Sequence, residues 1–165
     1  MRLVDTTVDQ KLLLDFFLTF AHFEFALKNS GFFVKRREAS LSYEARPDWN
    51  SFARSLKDLF RTDMTPRLRK ASDHLLYNPP GREVVVGDTL GWDNTAEDES
   101  LSEIERLLLY VRRIRNNLFH GGTFSALPGL ETERNSALVE DSLVILRECL
   151  RLADDVRKEY ELASL

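Results

Sequence analysis

Ile104-Glu105-Arg106-Leu107-Leu108-Leu109-Tyr110-Val111-Arg112-Arg113-Ile114-Arg115-Asn116-Asn117-Leu118-Phe119-His120-Gly121-Gly122 is the stretch whose reading decides the fold. Ile104, Leu107, Leu108, Val111, Ile114 and Leu118 recur every three or four positions, the spacing of one buried stripe on an α-helix. Ser100-Leu101-Ser102-Glu103 matches a capping box and predicts that this helix begins there. Gly121-Gly122 supplies the stop. Arg115 lies four residues after Val111 and three before Leu118, so a guanidinium falls on the apolar stripe.

Working outward, Leu13, Phe16, Phe17, Phe20, Phe23 and Leu27 predict a helix from Val8 to Asn29, ended by Ser30-Gly31. Glu24 stands on its stripe. One reading pairs it with Lys28 one turn later. The other sets it against Arg115, because an unpaired buried charge is costly and each helix carries one charge of opposite sign. Phe32 to Arg46, with Lys35-Arg36-Arg37, reads as a connector. Asp48 caps a short helix presenting Trp49, Phe52, Ala53 and Leu56, and Thr65-Pro66 opens another that buries Leu68, Ala71, Leu75 and Leu76. Asn78-Pro79-Pro80-Gly81 ends that pattern. An irregular segment near 78–99 follows, with Glu83 to Val86 extended, Trp92 anchoring the loop, and an acidic, exposed run from Asp93 to Glu99. The last helix is expected from Asn135 to Glu161 on a seam of Leu138, Ser142, Ile145, Cys149, Leu152 and Val156. These elements predict an all-α bundle of four main helices plus a short one, in a single domain over 1–165.

Composition narrows the class. With 165 residues, 43% hydrophobic and 30% charged, the chain reads as one soluble globular domain, and eleven Phe against two Met suggest a rigid aromatic core. A net charge of −4 argues against non-specific coating of nucleic acid while leaving room for a local basic site. Cys149 is the only cysteine, which excludes an intramolecular disulfide framework and cysteine-based zinc sites. It reads as seam filler. Asp15, His22 and Glu24 interrupt the apolar run Leu12–Leu27, so no signal peptide or membrane span is expected and the chain reads as cytoplasmic. Phosphate-cradling glycine loops, zinc-helix motifs and glycine-flanked catalytic serines are absent, and no metal or cofactor is expected.

The chemistry then concentrates at the end of the central helix. Arg115 offers a fork of donors suited to phosphate. His120 exchanges protons near neutrality. Asn116 and Asn117 add amides, Arg112 adds a second cation one turn before Asn116, and Gly121 lets a ligand approach the backbone. Cation, imidazole and amides together suit cleavage of RNA by its own 2′-hydroxyl, where the protein supplies proton transfer and charge stabilisation. Spacing alone does not establish this: an Arg followed after four to six residues by a His is a weak pattern, and Arg67 and Arg69 both match it with His74. Context separates the two, with Arg115 on the buried stripe, amides following it, and glycines after the histidine. A purely structural alternative ties Arg115 to Glu24 and leaves His120 as a cap.

Arg115-Asn116-Asn117-Leu118-Phe119-His120-Gly121-Gly122 resembles the signature turn of HEPN domains, helical bundles marked by an Arg, four to six residues and a His near the end of an inner helix. Phe23-Glu24-Phe25-Ala26-Leu27-Lys28 with Gly31 is similar to the first helix of a bacterial subgroup. Trp49 with Phe52-Ala53, and Pro79-Pro80 with Val84 to Val86 and Trp92, resemble further landmarks, so the likeness spans Leu12 to Gly122. It implies a HEPN-like metal-independent endoribonuclease, a toxin or an abortive-infection or antiviral defence effector, acting on RNA as a homodimer with a composite cleft. An antitoxin or defence-system partner is implied as well. By the same likeness Arg115 holds the scissile phosphate, His120 moves the proton, Asn116 orients Arg115 or the phosphate, and Glu24 fixes Arg115. Arg112, Asn117 and Gly121 are the expected substrate-binding residues. The alternative within the family is a non-catalytic module that binds RNA, nucleotide or a partner protein.

Overall fold

The computed structural model describes residues 8–37, 43–93, 95, 100–119 and 131–164. Six helices and two antiparallel two-stranded ribbons make up these residues: α1 (Gln10–Asn29), β1 (Phe33–Arg37), β2 (Tyr43–Pro47), α2 (Trp49–Ser55), α3 (Pro66–Tyr77), β3 (Arg82–Val86), β4 (Thr89–Asp93), α4 (Glu103–Phe119), α5 (Glu131–Leu152) and α6 (Asp154–Ala163). The architecture is mostly helical, as the periodicity requires, with two β-ribbons of which the sequence reading included only the extended piece Glu83–Val86.

Local chemistry sets the helix starts. Asp9 accepts from the Leu12 N–H at 3.0 Å, Asp48 from Ser51 at 3.0 Å, and the Thr65 hydroxyl from Leu68 at 3.1 Å, with Pro66 in the first turn. α4 does open on a capping box, but it is formed by Ser102 and Glu105, two residues later than the expected one. The Ser102 N–H and hydroxyl both donate to Glu105 Oε2, at 3.0 and 2.7 Å. α1 stops as Gly31 adopts φ +87°, while the Phe32 N–H reaches back to the Leu27 carbonyl at 2.8 Å and that of Gly31 to Lys28 at 3.3 Å. Glycine enters this left-handed region without steric penalty.

Three expectations are corrected. The Phe32–Arg46 connector is instead a ribbon, β1–β2, in register from Phe33↔Pro47 to Arg37↔Tyr43. Its base closes through the Asp48 N–H donating to the Phe32 carbonyl at 2.9 Å, and Phe33, Val34 and Tyr43 supply strand-forming side chains. The segment after Gly81 is a second ribbon, β3–β4, in register from Arg82↔Asp93 to Val86↔Thr89, turning at Gly87 with φ +63°. Trp92 sits 42% exposed on this ribbon rather than anchoring it, and Asp93 is tied to Arg82 at 2.8 Å and to the Thr95 N–H at 2.9 Å. Residue 94 and residues 96–99 of the acidic run lie outside the described residues. Third, the expected last helix is two. Its seam continues through the break at Ala153, but Asp154 and Asp155 start a fresh helix, as acids favour an N-terminus, and α6 lies along α1.

The core joins these elements. α1 packs against α5 and α6, α3 against α4 and α5, and α2 against α4. Trp49 stacks on Phe23 with ring centroids 5.1 Å apart and lies 5.1 Å from Phe20, and Phe52 meets Phe23 and Phe32 edge-on. Every residue of the α4 stripe is buried except Leu118, which is half-buried. Cys149 is fully buried, and burial pushes its thiol above the ordinary range. Among the described residues, no helix is long and apolar enough to cross a membrane.

Candidate functional site

The two charges that the apolar stripes carry do meet. Arg115 on α4 donates to Glu24 Oε1 on α1 at 3.4 Å, with both side chains less than a third exposed. Lys28 is not Glu24's partner in this arrangement. The same carboxylate oxygen accepts the indole N–H of Trp49 at 3.1 Å. Trp49 was legible only as a core residue, because an indole's one donor gives no periodic signal. The Arg115 guanidinium lies 4.9 Å from the Phe20 ring centroid and 5.7 Å from that of Phe119. Phe119 in turn packs edge-on against Phe17 at 5.1 Å. Glu24 and two aromatic faces therefore fix the guanidinium, by charge and by cation–π attraction.

Arg112 reaches the same place from one turn earlier. Its Nη1 donates to the Asn50 side-chain carbonyl at 3.4 Å. Burial holds the Arg112 guanidinium below its ordinary value, Glu24 draws it back up, and Arg115 adds to the depression. Arg112 and Arg115 thus stand within electrostatic reach of Glu24, Arg115 in contact with it, and Asp48 acts on Arg112 as well. Asp48 lies nearby, but its oxygens are occupied by the Ser51 N–H and hydroxyl, which also hold its carboxyl below the usual range.

The amides part company. Asn116 is exposed beside Arg115. Asn117 is buried and donates to the Gly81 carbonyl at 2.9 Å, which fastens the root of the β3–β4 ribbon to α4. Its amide is engaged with backbone, on a different side of the helix from the paired guanidiniums. His120 and Gly121 lie outside the described residues.

The weaker Arg-to-His pattern on α3 leads elsewhere. His74 Nδ1 stands 2.5 Å from Asp141 Oδ2, a contact joining α3 to α5. Burial raises the Asp141 carboxyl above its ordinary value, and the His74 hydrogen bond opposes that rise. Among the described residues, no group of three or more His, Cys, Asp or Glu side chains is placed to hold a metal ion.

Comparison with protein-family models, with curated proteins and with solved structures finds no match for this chain.

Proposed function

We propose that this chain is a metal-independent endoribonuclease of the HEPN type. The observation that supports the reading is the Arg115–Glu24 pair, with the Arg112 guanidinium one turn away and within electrostatic reach of the same carboxylate. Arg115 makes one ion pair through a single nitrogen, so the two neighbouring guanidiniums retain donors for a phosphodiester. Arg115 holds the scissile phosphate and stabilises charge as it grows on the non-bridging oxygens, while Glu24 and the Phe20 and Phe119 rings keep its position. Asn116, next in the chain and exposed, orients the phosphate. The substrate's 2′-hydroxyl attacks phosphorus and the P–O5′ bond breaks. His120 carries the proton, so the products are a 2′,3′-cyclic phosphate and a 5′-hydroxyl. A cellular role as a toxin or antiviral defence effector, held in check by an antitoxin or partner, belongs to the same reading.

A second reading is binding of RNA, nucleotide or a protein without cleavage. It is favoured by how fully Arg115 is engaged, with a carboxylate and two rings as neighbours.

Incubation of RNA with purified protein in EDTA separates the two. Cleavage to cyclic-phosphate ends, lost in Arg115→Ala and in His120→Ala, is the expected result. Retention of RNA by a gel-shift assay with no cleavage by the wild type selects the binding module. Cleavage undiminished in both variants overturns the assignment of the site.

A further inference from the structure

Both faces of the β1–β2 ribbon meet solvent. Every β2 residue but Pro47 is exposed, as are Phe33, Val34 and Lys35 of β1. A two-stranded ribbon is marginal by itself in water, and rings left on its surface do nothing for the core. Phe33 is 41% exposed and Tyr43 57%.

The register fixes which side chains stand together. Phe33 is opposite Pro47 and Lys35 opposite Ala45, with the pair Val34↔Arg46 between them. Successive pairs point to opposite faces, so Phe33, Lys35, Tyr43 and Ala45 share one face while Val34, Glu44 and Arg46 share the other. On the second face Arg46 is spent on Glu44, at 3.1 Å. The first places a lysine between two rings along about 13 Å of ribbon and bears no acid among its described residues. Lys35 makes no ion pair or hydrogen bond with the described residues.

Charge is concentrated here. Residues 33–47 hold four cations, Lys35, Arg36, Arg37 and Arg46, and two acids, a balance of +2 in a chain of net −4. A chain that is acidic as a whole draws a polyanion only where such a local excess stands. The place also matters. The ribbon closes at its root through the Asp48 N–H and the Phe32 carbonyl, and the next two residues are Trp49 and Asn50, which contact Glu24 and Arg112. Ribbon and candidate site are therefore continuous.

We infer that the Phe33–Lys35–Tyr43 face holds a single RNA strand beside the Arg112–Arg115 site, an assignment that takes its ligand class from the ribonuclease reading. Lys35 meets a phosphate, and the two rings stack on bases. A single strand suits this face because its bases are free to leave their neighbours, whereas a duplex keeps them stacked on each other. Cations with interspersed rings are what unpaired strands bind without regard to sequence.

The test is fluorescence anisotropy of the full chain with a fluorescein-labelled, fully 2′-O-methylated single-stranded RNA of mixed sequence, over a range of salt concentrations. Methylation blocks the attacking oxygen, so binding is read apart from cleavage. Tyr43→Ala is expected to weaken binding about tenfold. Lys35→Ala is expected to reduce the slope of log affinity against log salt by about 0.7, the loss of one phosphate contact. Lys158→Ala, on α6 beside Asp155, is expected to change neither. A wild type that does not retain the strand overturns the inference. So does binding that is unchanged in both folded ribbon variants, even where unmodified RNA is cut in an Arg115-dependent way. Sedimentation of the wild type with phosphatidylserine vesicles, without affinity for the strand, assigns the ribbon to a membrane surface and overturns it too. Ribbon-dependent binding with no cleavage of unmodified RNA supports the inference and refutes the nuclease reading.

Discussion

Glu24 and Arg115, 91 residues apart in sequence, meet through one carboxylate oxygen, which the Trp49 indole also shares. The contacts are unequal, and so are the consequences of removing each partner. Glu24→Ala strands the Trp49 N–H and leaves two guanidiniums facing each other, at a cost of about 2–3 kcal/mol. Arg115→Ala leaves Glu24 with Trp49 and with Arg112 nearby, at a cost of about 1 kcal/mol. A double-mutant cycle in urea is expected to give a coupling of about 0.5–1.5 kcal/mol. Equal single costs, or no coupling, would show that the carboxylate is not shared as described.

Trp49→Phe separates the indole's two roles. The aromatic stack on Phe23 survives and only the hydrogen bond to Glu24 is lost, so stability should fall by about 1 kcal/mol. Trp49→Ala removes the stack too and should cost about 3–5 kcal/mol. If Phe proves as damaging as Ala, the hydrogen bond is worth far more than this account allows.

Asn117→Leu tests the fastening of the β3–β4 ribbon. It removes the donor to the buried Gly81 carbonyl, and a loss of about 1–3 kcal/mol is expected in thermal unfolding. Faster hydrogen exchange in residues 82–93 should accompany it.

Acid should weaken the helix starts. The Ser102 hydroxyl and N–H hold the Glu105 carboxyl below 4.5, and Ser51 holds that of Asp48 below 3.8. Asp93 is held at about 2, by Thr95 first and then by Arg82. Each folded value lies below its unfolded one, so these contributions are complete above about pH 5 and fade as pH falls through the folded values. Asp141 has the opposite sign: burial raises it, so its contribution is present at low pH and fades as pH rises through its folded value. Urea titrations from neutral pH downward should show a shallower acid loss in Glu105→Gln than in the wild type.

Cys149 provides a probe of global opening. Its thiol is fully buried and pushed upward by desolvation, so a disulfide reagent should react only as fast as the core opens. Rapid labelling under native conditions would contradict the buried seam.

The helices were legible because their information is local. Asp9, Asp48 and Thr65 cap the turns they precede, and three-four spacing marks the buried faces whatever those faces meet. The Glu24–Arg115 pair was legible for a related reason: each charge violated its own stripe, and opposite signs left one economical arrangement. Of the ribbons only the extended Glu83–Val86 was legible; β1, β2 and β4 were missed because five-residue strands such as the one bearing Lys35-Arg36-Arg37 carry too little periodicity to stand apart from loop, although Gly87-Asp88 was a usable turn signal. The break at Ala153 left no mark on a seam that runs through it.

By itself, then, the sequence determined the helical elements, their inward faces and the two charges that had to find each other. Only the tertiary structure decided what surrounds those charges: Trp49 as a second donor, Asn50 beside Arg112, the rings of Phe20 and Phe119, and the turning of Asn117 toward Gly81. Periodicity reports which way a side chain faces along its own element. The neighbour it meets there depends on how separate elements pack, and no local pattern carries that.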